Sequence, residues 1–277
     1  LKEAEFTVAV SGLDPNAFKG NENLVKVSIP KNSTLDTIPE ESFQGCKSLV
    51  SITIPGSVES IGKDAFNGCV SLSDVEISKE SSLERLDDGA FCRTSLMSIS
   101  LPAGLTHIGI DCFAECQLLK NVTFESDYLT IGNGAFRETG LSSIELPKDP
   151  GALNSSIFKG SPNLNSIIFG QGSSYRFDGY AVYKGNELIF VCPVARTYDL
   201  PSEVESIHSL AFDIAKDLIK ITCEENARYS AYHGILLDKE CKNIVAVPWS
   251  ISEIRIPYSI VELDGSKFID SDNTTTM

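Results

Sequence analysis

Seven phenylalanines, Phe18, Phe43, Phe66, Phe91, Phe113, Phe136 and Phe158, recur at intervals of 22 to 25 residues, and nearly the same phrase surrounds each. It is clearest in SIGKDAFNGCVSLSDVEI, Ser60 to Ile77. There, apolar residues fall at Ile61, Ala65, Phe66, Cys69, Leu72, Val75 and Ile77, with almost nothing reactive between them. A leucine and an apolar pair two apart follow the ring: Leu49, Ile52 and Ile54; Leu119, Val122 and Phe124; Leu141, Ile144 and Leu146. A proline often closes the phrase, as at Pro30, Pro55, Pro102 and Pro147. An aliphatic residue (Ile38, Ile61, Leu86, Ile108, Ile131, Leu153) stands five before the next phenylalanine.

A short fixed period means a stack of units, none of which can bury its apolar side alone. In LVSITIP, Ile52 and Ile54 alternate with Ser51 and Thr53, the pattern of a strand with one buried face. Pro55 has no N–H to donate and stands where the strand ends. So short a strand is unstable alone. Stacked on a copy of itself it pairs its backbone, while the phenylalanine segment returns the chain on the other side and fills the interior. Each copy reads as one coil of a solenoid.

These phrases resemble leucine-rich repeats of the BspA-like type. The resemblance is carried by VESIGKDAFNGCVSLSDVEI, LDTIPEESFQGCKSLVSITIP, LTHIGIDCFAECQLLKNVTF and LTIGNGAFRETGLSSIELP, and runs from about Leu13 to Phe169. The asparagine of commoner leucine-rich repeats is missing, as in that family. The resemblance implies short parallel strands on a concave face, irregular or short helical segments on a convex face, and a single domain over 1–277. It also implies a non-enzymatic, extracellular or surface-displayed module that binds proteins, with adhesion to host or extracellular-matrix proteins as the leading function.

Beyond residue 170 the period lengthens, with Phe212 and Phe268 lying 54 and 56 residues after their predecessors. Each long unit adds a segment with its own alternation, GYAVYKGNELIFVCP (Gly179 to Pro193) and GILLDKECKNIVAVP (Gly234 to Pro248). Two apolar runs around a polar turn read as a β-hairpin. The chain then rejoins the phrase in YDLPSEVESIHSLAF and IRIPYSIVELDGSKF. We expect plain repeats over about 13–170, two hairpin-bearing repeats over about 171–270, and a polar tail at 271–277. Nine strands at ~4.8 Å would make a sheet ~40 Å long. The chain starts at Leu1, without methionine, and is read as a trimmed piece.

Composition narrows the function. A net charge of −15 argues against nucleic acid, whose binding rests on Lys and Arg, and against anionic membrane surfaces. No apolar run approaches the ~20 residues of a bilayer span, and LIFVCPVA is broken by Pro193, so we expect no membrane insertion in this segment. None of the eight cysteines forms C-x-x-C. Cys46, Cys69 and Cys116 share the position three after phenylalanine that Thr139 and Ser161 fill elsewhere, which calls for a small side chain. We read them as buried thiols. His107, His208 and His233 have no partner within catalytic reach that the sequence identifies. No phosphate-binding glycine loop opens a helix, and DDGAF at Asp87 lacks EF-hand spacing. No catalytic residue, metal site or cofactor is expected. Sequons occur at Asn32, Asn121, Asn154 and Asn273.

That leaves surfaces. Outward strand positions comprise Ser28, Thr53, Glu76, Ser100, Thr123, Glu145 and Ile168, beside Lys26, Ser51, Asp74, Ser98, Asn121, Ser143 and Ser166. This hydroxyl-rich row could offer hydrogen bonds to a protein partner or a glycan, and its candidates are Ser51, Thr53, Ser98, Ser100, Asn121 and Thr123. Seven of the eight tyrosines, and Trp249, lie after residue 174. Such rings are enriched at binding sites but also pack hairpins. Tyr180, Tyr183, Tyr232 and Trp249 are the aromatic candidates, and a carbohydrate-binding cleft or a passive spacer are the alternatives to adhesion.

Overall fold

The computed structural model describes residues 1–264 apart from Thr7 and Lys79. The chain forms two compact units. One comprises 1–161 with 166–173, the other 162–165 with the residues from 174 onward.

In the first unit the apolar pairs of the repeat become parallel strands β1 (Glu3–Glu5), β2 (Lys26–Ser28), β4 (Ser51–Ile54), β6 (Asp74–Ile77), β8 (Ser98–Leu101), β10 (Asn121–Phe124), β12 (Ser143–Leu146) and β13 (Ser166–Phe169). Burial alternates along them as the pattern requires: Ile52, Ile54, Ile99 and Leu101 point inward, while Ser98 and Ser100 are exposed. The aliphatic residues five before each phenylalanine build a second ladder, not foreseen from the sequence. It consists of β3 (Thr37–Ile38), β5 (Ser60–Ile61), β7 (Arg85–Leu86), β9 (His107–Ile108) and β11 (Thr130–Ile131), all parallel. One short 3-10 helix, Ser155–Phe158, is capped by the Asn154 side chain.

The phenylalanines close the third side. Phe43, Phe66, Phe91, Phe113, Phe136 and Phe158 are fully buried. From Phe18 onward the rings stack nearly parallel at centroid distances of 5.2 to 6.1 Å. Their amides run from coil to coil: Phe43 N–H donates to Ala65 O, Phe66 to Ala90 O and Phe91 to Cys112 O, at 2.8 Å each. From Phe18 to Phe136 each ring is bracketed by left-handed residues two before and two after. Around Phe66 these are Asp64 (φ 54) and Gly68 (φ 75), and around Phe113 they are Asp111 (φ 54) and Glu115 (φ 61). Two reversals within five residues turn the coil sharply enough to place the ring inside. Glycine adopts this conformation without strain, whereas other residues pay about 1 kcal/mol or more.

The position three after phenylalanine must be small and must also donate. Cys46, Cys69 and Cys116 point their S–H groups at the carbonyls of Phe18, Phe43 and Phe91 in the preceding coil, at 3.1, 3.0 and 3.1 Å. Ser161 does the same to Phe136 at 3.0 Å. Cys, Thr and Ser therefore interchange because each brings a hydrogen to a buried carbonyl. All eight cysteines are free thiols. Desolvation pushes Cys69 up to about 12 and Cys46 to about 11, so these donors keep their protons.

The strand ladder of this unit is not continuous. It runs β1-β2-β4-β6, then β8-β10, then β12-β13, with no pairing between β6 and β8 or between β10 and β12. The chain explains both gaps. Ser98 and Ser143 begin their strands seven residues after Phe91 and Phe136, whereas Ser51, Asp74, Asn121 and Ser166 come eight after theirs. The two strands with one residue fewer in the preceding turn are the two that do not pair with their predecessors. Gly140 lies in the second short turn, where a Cβ would meet Gln117 O at 2.4 Å.

In the second unit both expected hairpins form, each within a larger meander. β15 (Ala181–Lys184) and β16 (Glu187–Val191) are antiparallel, and β14 (Tyr175–Phe177) adds a strand to β15. Likewise β21 (Ile235–Asp238) and β22 (Ile244–Ala246) are preceded by β20 (Tyr229–Tyr232). Repeat phrases contribute the parallel pairs β17 (Thr197–Asp199) with β19 (Lys220–Thr222), and β16 with β18 (Ser206–Ile207). Asn226 is buried. Its amide donates to the carbonyls of Pro201 and Val204, and its oxygen accepts from Arg228 and Tyr229 N–H. The last phrase behaves otherwise than expected: no strand forms among the described residues from 247 onward, and Tyr258 and Val261 are exposed. Phe268, the polar tail and Asn273 lie outside the described residues.

Candidate binding face

The strand ladder of the first unit positions the polar candidates. Ser98 lies opposite Asn121, and Ser100 opposite Thr123, in β8 and β10. Ser51 and Thr53 lie opposite Asp74 and Glu76 in β4 and β6. The six candidates thus form two groups on opposite sides of the β6–β8 gap. Ser98, Ser100, Asn121 and Thr123 are exposed, and Ser51 and Thr53 half-buried. Thr53 Oγ1 already donates to Glu76 Oε2 at 2.9 Å.

The aromatic candidates are not brought together. Tyr183 is fully buried and so presents no ring to a ligand, contrary to its choice as an aromatic platform. Its hydroxyl donates to Asp178 Oδ2 at 2.7 Å and lies 2.6 Å from that of Tyr198, while Arg176 covers its ring at 3.9 Å. Burial pushes its phenol well above the ordinary range. Strand β15 packs on both faces, which leaves Tyr183 no route to solvent. Trp249 is half-buried, donates its indole N–H to Phe212 O at 3.0 Å, and lies beneath Lys216. Tyr180 and Tyr232 are exposed, the latter edge-on to His233. No ring contact joins Tyr180, Tyr232 and Trp249 among the described residues.

Charge is distributed unevenly over the first unit. Beside the phenylalanine column a group of acids is paired: Arg137 reaches Asp111 at 2.7 Å, Glu115 at 3.1 Å and Glu138 at 3.1 Å, and Arg93 reaches Glu115 at 2.9 Å. The Arg93 hydrogen bond holds Glu115 below the usual carboxylate range. On the sheet side, Asp74, Glu76, Glu125, Asp127 and Glu145 are exposed and form no ion pair among the described residues. Sequence reasoning missed this contrast, because both sets of acids occur at similar spacing.

The histidines make local contacts only. His107 Nδ1 lies 2.9 Å from Thr130 Oγ1, and His208 Nδ1 accepts from Leu210 N–H at 3.2 Å. Among the described residues, no group of three His, Cys, Asp or Glu could hold a metal ion, and no helix is long and apolar enough to cross a membrane.

Stacked short parallel strands, a returning aromatic column and an outward polar row define a leucine-rich repeat solenoid. Six copies of the BspA type leucine-rich repeat region match at residues 11–128 and 84–189, and the chain belongs to that family. Among solved structures it is similar to the pneumococcal vaccine antigen PcpA, with a TM-score of 0.62 and 23% identity. That match covers 94% of this chain and 61% of that one, so the chain spans about three-fifths of the antigen structure. A leucine-rich repeat protein of T. pallidum is 32% identical over 52% of this chain and 68% of its own, with a TM-score of 0.44. A leucine-rich cell surface protein of Faecalibacterium prausnitzii matches at 20% identity and a TM-score of 0.48, over 95% of this chain and 72% of that one. No curated protein matches the chain.

Proposed function

We propose that this chain is a non-enzymatic protein-binding module displayed at a cell surface, where it adheres to host or extracellular-matrix proteins. The observation that best supports the reading is the row Ser98, Ser100, Asn121 and Thr123, exposed side by side on paired strands. A repeated polar surface suits a partner that meets several coils at once. The similar pneumococcal protein is a vaccine antigen, and surface display is extended to this chain as part of the proposal.

A binding survey of the purified chain against immobilised matrix proteins and host cells tests it. Saturable binding to at least one of them is expected, weakened about tenfold by Ser100→Arg with Thr123→Arg. Failure to bind any of them saturably overturns the adhesion reading.

A further inference from the structure

Two grooves of the sheet face lie at the gaps in the strand ladder. The first, about 370 Å³, lies between β6 and β8 and is lined by Asp74, Glu76, Ser98, Ser100 and Glu125. The second, about 310 Å³, lies between β10 and β12 and is lined by Thr123, Glu125, Asp127, Glu145 and Lys148. Glu125 belongs to both. The one-residue deletions after Phe91 and Phe136 therefore do more than break pairing. They open notches where five carboxylates that form no ion pair among the described residues lie close together.

Each feature narrows the occupant. The five carboxylates form no ion pair among the described residues, whereas Asp111, Glu115 and Glu138 beside the phenylalanine column do. Lys148 is the one cation lining either groove, and it forms no ion pair among the described residues. No ring lines the first groove, and Phe124 alone lines the second, half-buried. An apolar anchor has little to hold. A cationic side chain has carboxylates in both.

We propose that the sheet face around β6–β12 binds an extended, lysine- or arginine-bearing segment of a protein partner, with cations seated in the two notches. This deepens the protein-binding reading and rests on it. The notches lie two strand spacings apart, ~10 Å. A polyproline-II segment advances ~9 Å in three residues and returns to the same side, so basic residues three apart match the notches.

The test measures binding of a proline-rich peptide with lysine at every third position to the intact chain. A face variant, Glu76→Gln with Glu125→Gln and Glu145→Gln, is compared with a charge-matched variant, Glu40→Gln with Glu59→Gln and Glu84→Gln. The matched acids are exposed and lie outside both grooves. Saturable binding is expected, weakened at least about tenfold by the face variant and no more than about twofold by the matched one. Equal loss in both variants would mean diffuse attraction to the net charge and overturn the proposal, as would no loss in either or no binding. A matrix protein that still binds the face variant at full strength would remove the notches while leaving adhesion standing. A chain that binds the peptide but no matrix protein would do the reverse.

Discussion

The thiol of Cys69 donates to the carbonyl oxygen of Phe43, 3.0 Å away in the preceding coil and sealed from solvent. The bond binds one coil to the next at the point where the chain reverses twice. Replacing the donor by a similar one should therefore cost little, and removing it should cost more. We expect Cys69→Ser to be nearly neutral and Cys69→Ala to lose about 1 kcal/mol, the net worth of one hydrogen bond, because Phe43 O still accepts from Cys46 N–H. Denaturant titration of the two variants checks this, and equal stabilities would show that only size matters at the position.

The same thiols predict a response to alkali. Cys46 and Cys69 ionise near 9 when unfolded and at about 11 and about 12 when folded, because burial penalises the thiolate. Between those limits the folded chain holds more protons than the unfolded one. Stability is thus unaffected below pH ~9 and falls as pH climbs through the window. Melting temperature against pH should decline above 9, less steeply in a Cys46→Ser, Cys69→Ser variant. A thiol reagent at neutral pH should label the buried cysteines only after unfolding.

Ring deletion should act most strongly in mid-column. Phe66 is fully buried between Phe43 and Phe91, with centroids 5.2 Å away on both sides, whereas Phe18 is only half-buried. Phe66→Ala is expected to cost about 3–5 kcal/mol and Phe18→Ala distinctly less. Because neighbouring coils carry each other, the loss should broaden the transition as well as lower its midpoint.

Backbone strain gives substitutions of opposite sign. Gly68 (φ 75) and Glu138 (φ 55) hold the same left-handed place after their phenylalanines. Gly68→Ala should destabilise by about 1 kcal/mol, and Glu138→Gly should be neutral or stabilising once the loss of the Arg137 contact is counted. Thermal melts of both variants read the difference.

How much of this could be seen in the chain depended on the signal. The coil was legible because Phe, Leu and the strand pair repeat with one apolar meaning, and the same marks placed Ser98, Ser100, Asn121 and Thr123 outward. The second ladder was hidden, since a two-residue strand such as Ser60–Ile61 has no alternation to read. The bracket before the rings from Phe18 to Phe136 was hidden too, because Asn16, Glu41, Asp64 and Asp111 share it with glycines. The notches were written in the shortened intervals from Phe91 to Leu96 and Phe136 to Leu141, but a missing residue acquires meaning only when neighbouring strands are laid side by side. Tyr180 and Tyr183 sit three apart in one hairpin, and nothing in their types says that one ring is exposed and the other buried.

Amide hydrogen exchange tests the stacked-coil account most directly. The N–H groups of Phe43, Phe66, Phe91, Phe113 and Phe136 each donate into the following coil beside a buried ring. They should be among the slowest in the chain, exchanging together through cooperative opening of neighbouring coils. Exchange of these five amides as fast as the exposed amides around Tyr258 would contradict it.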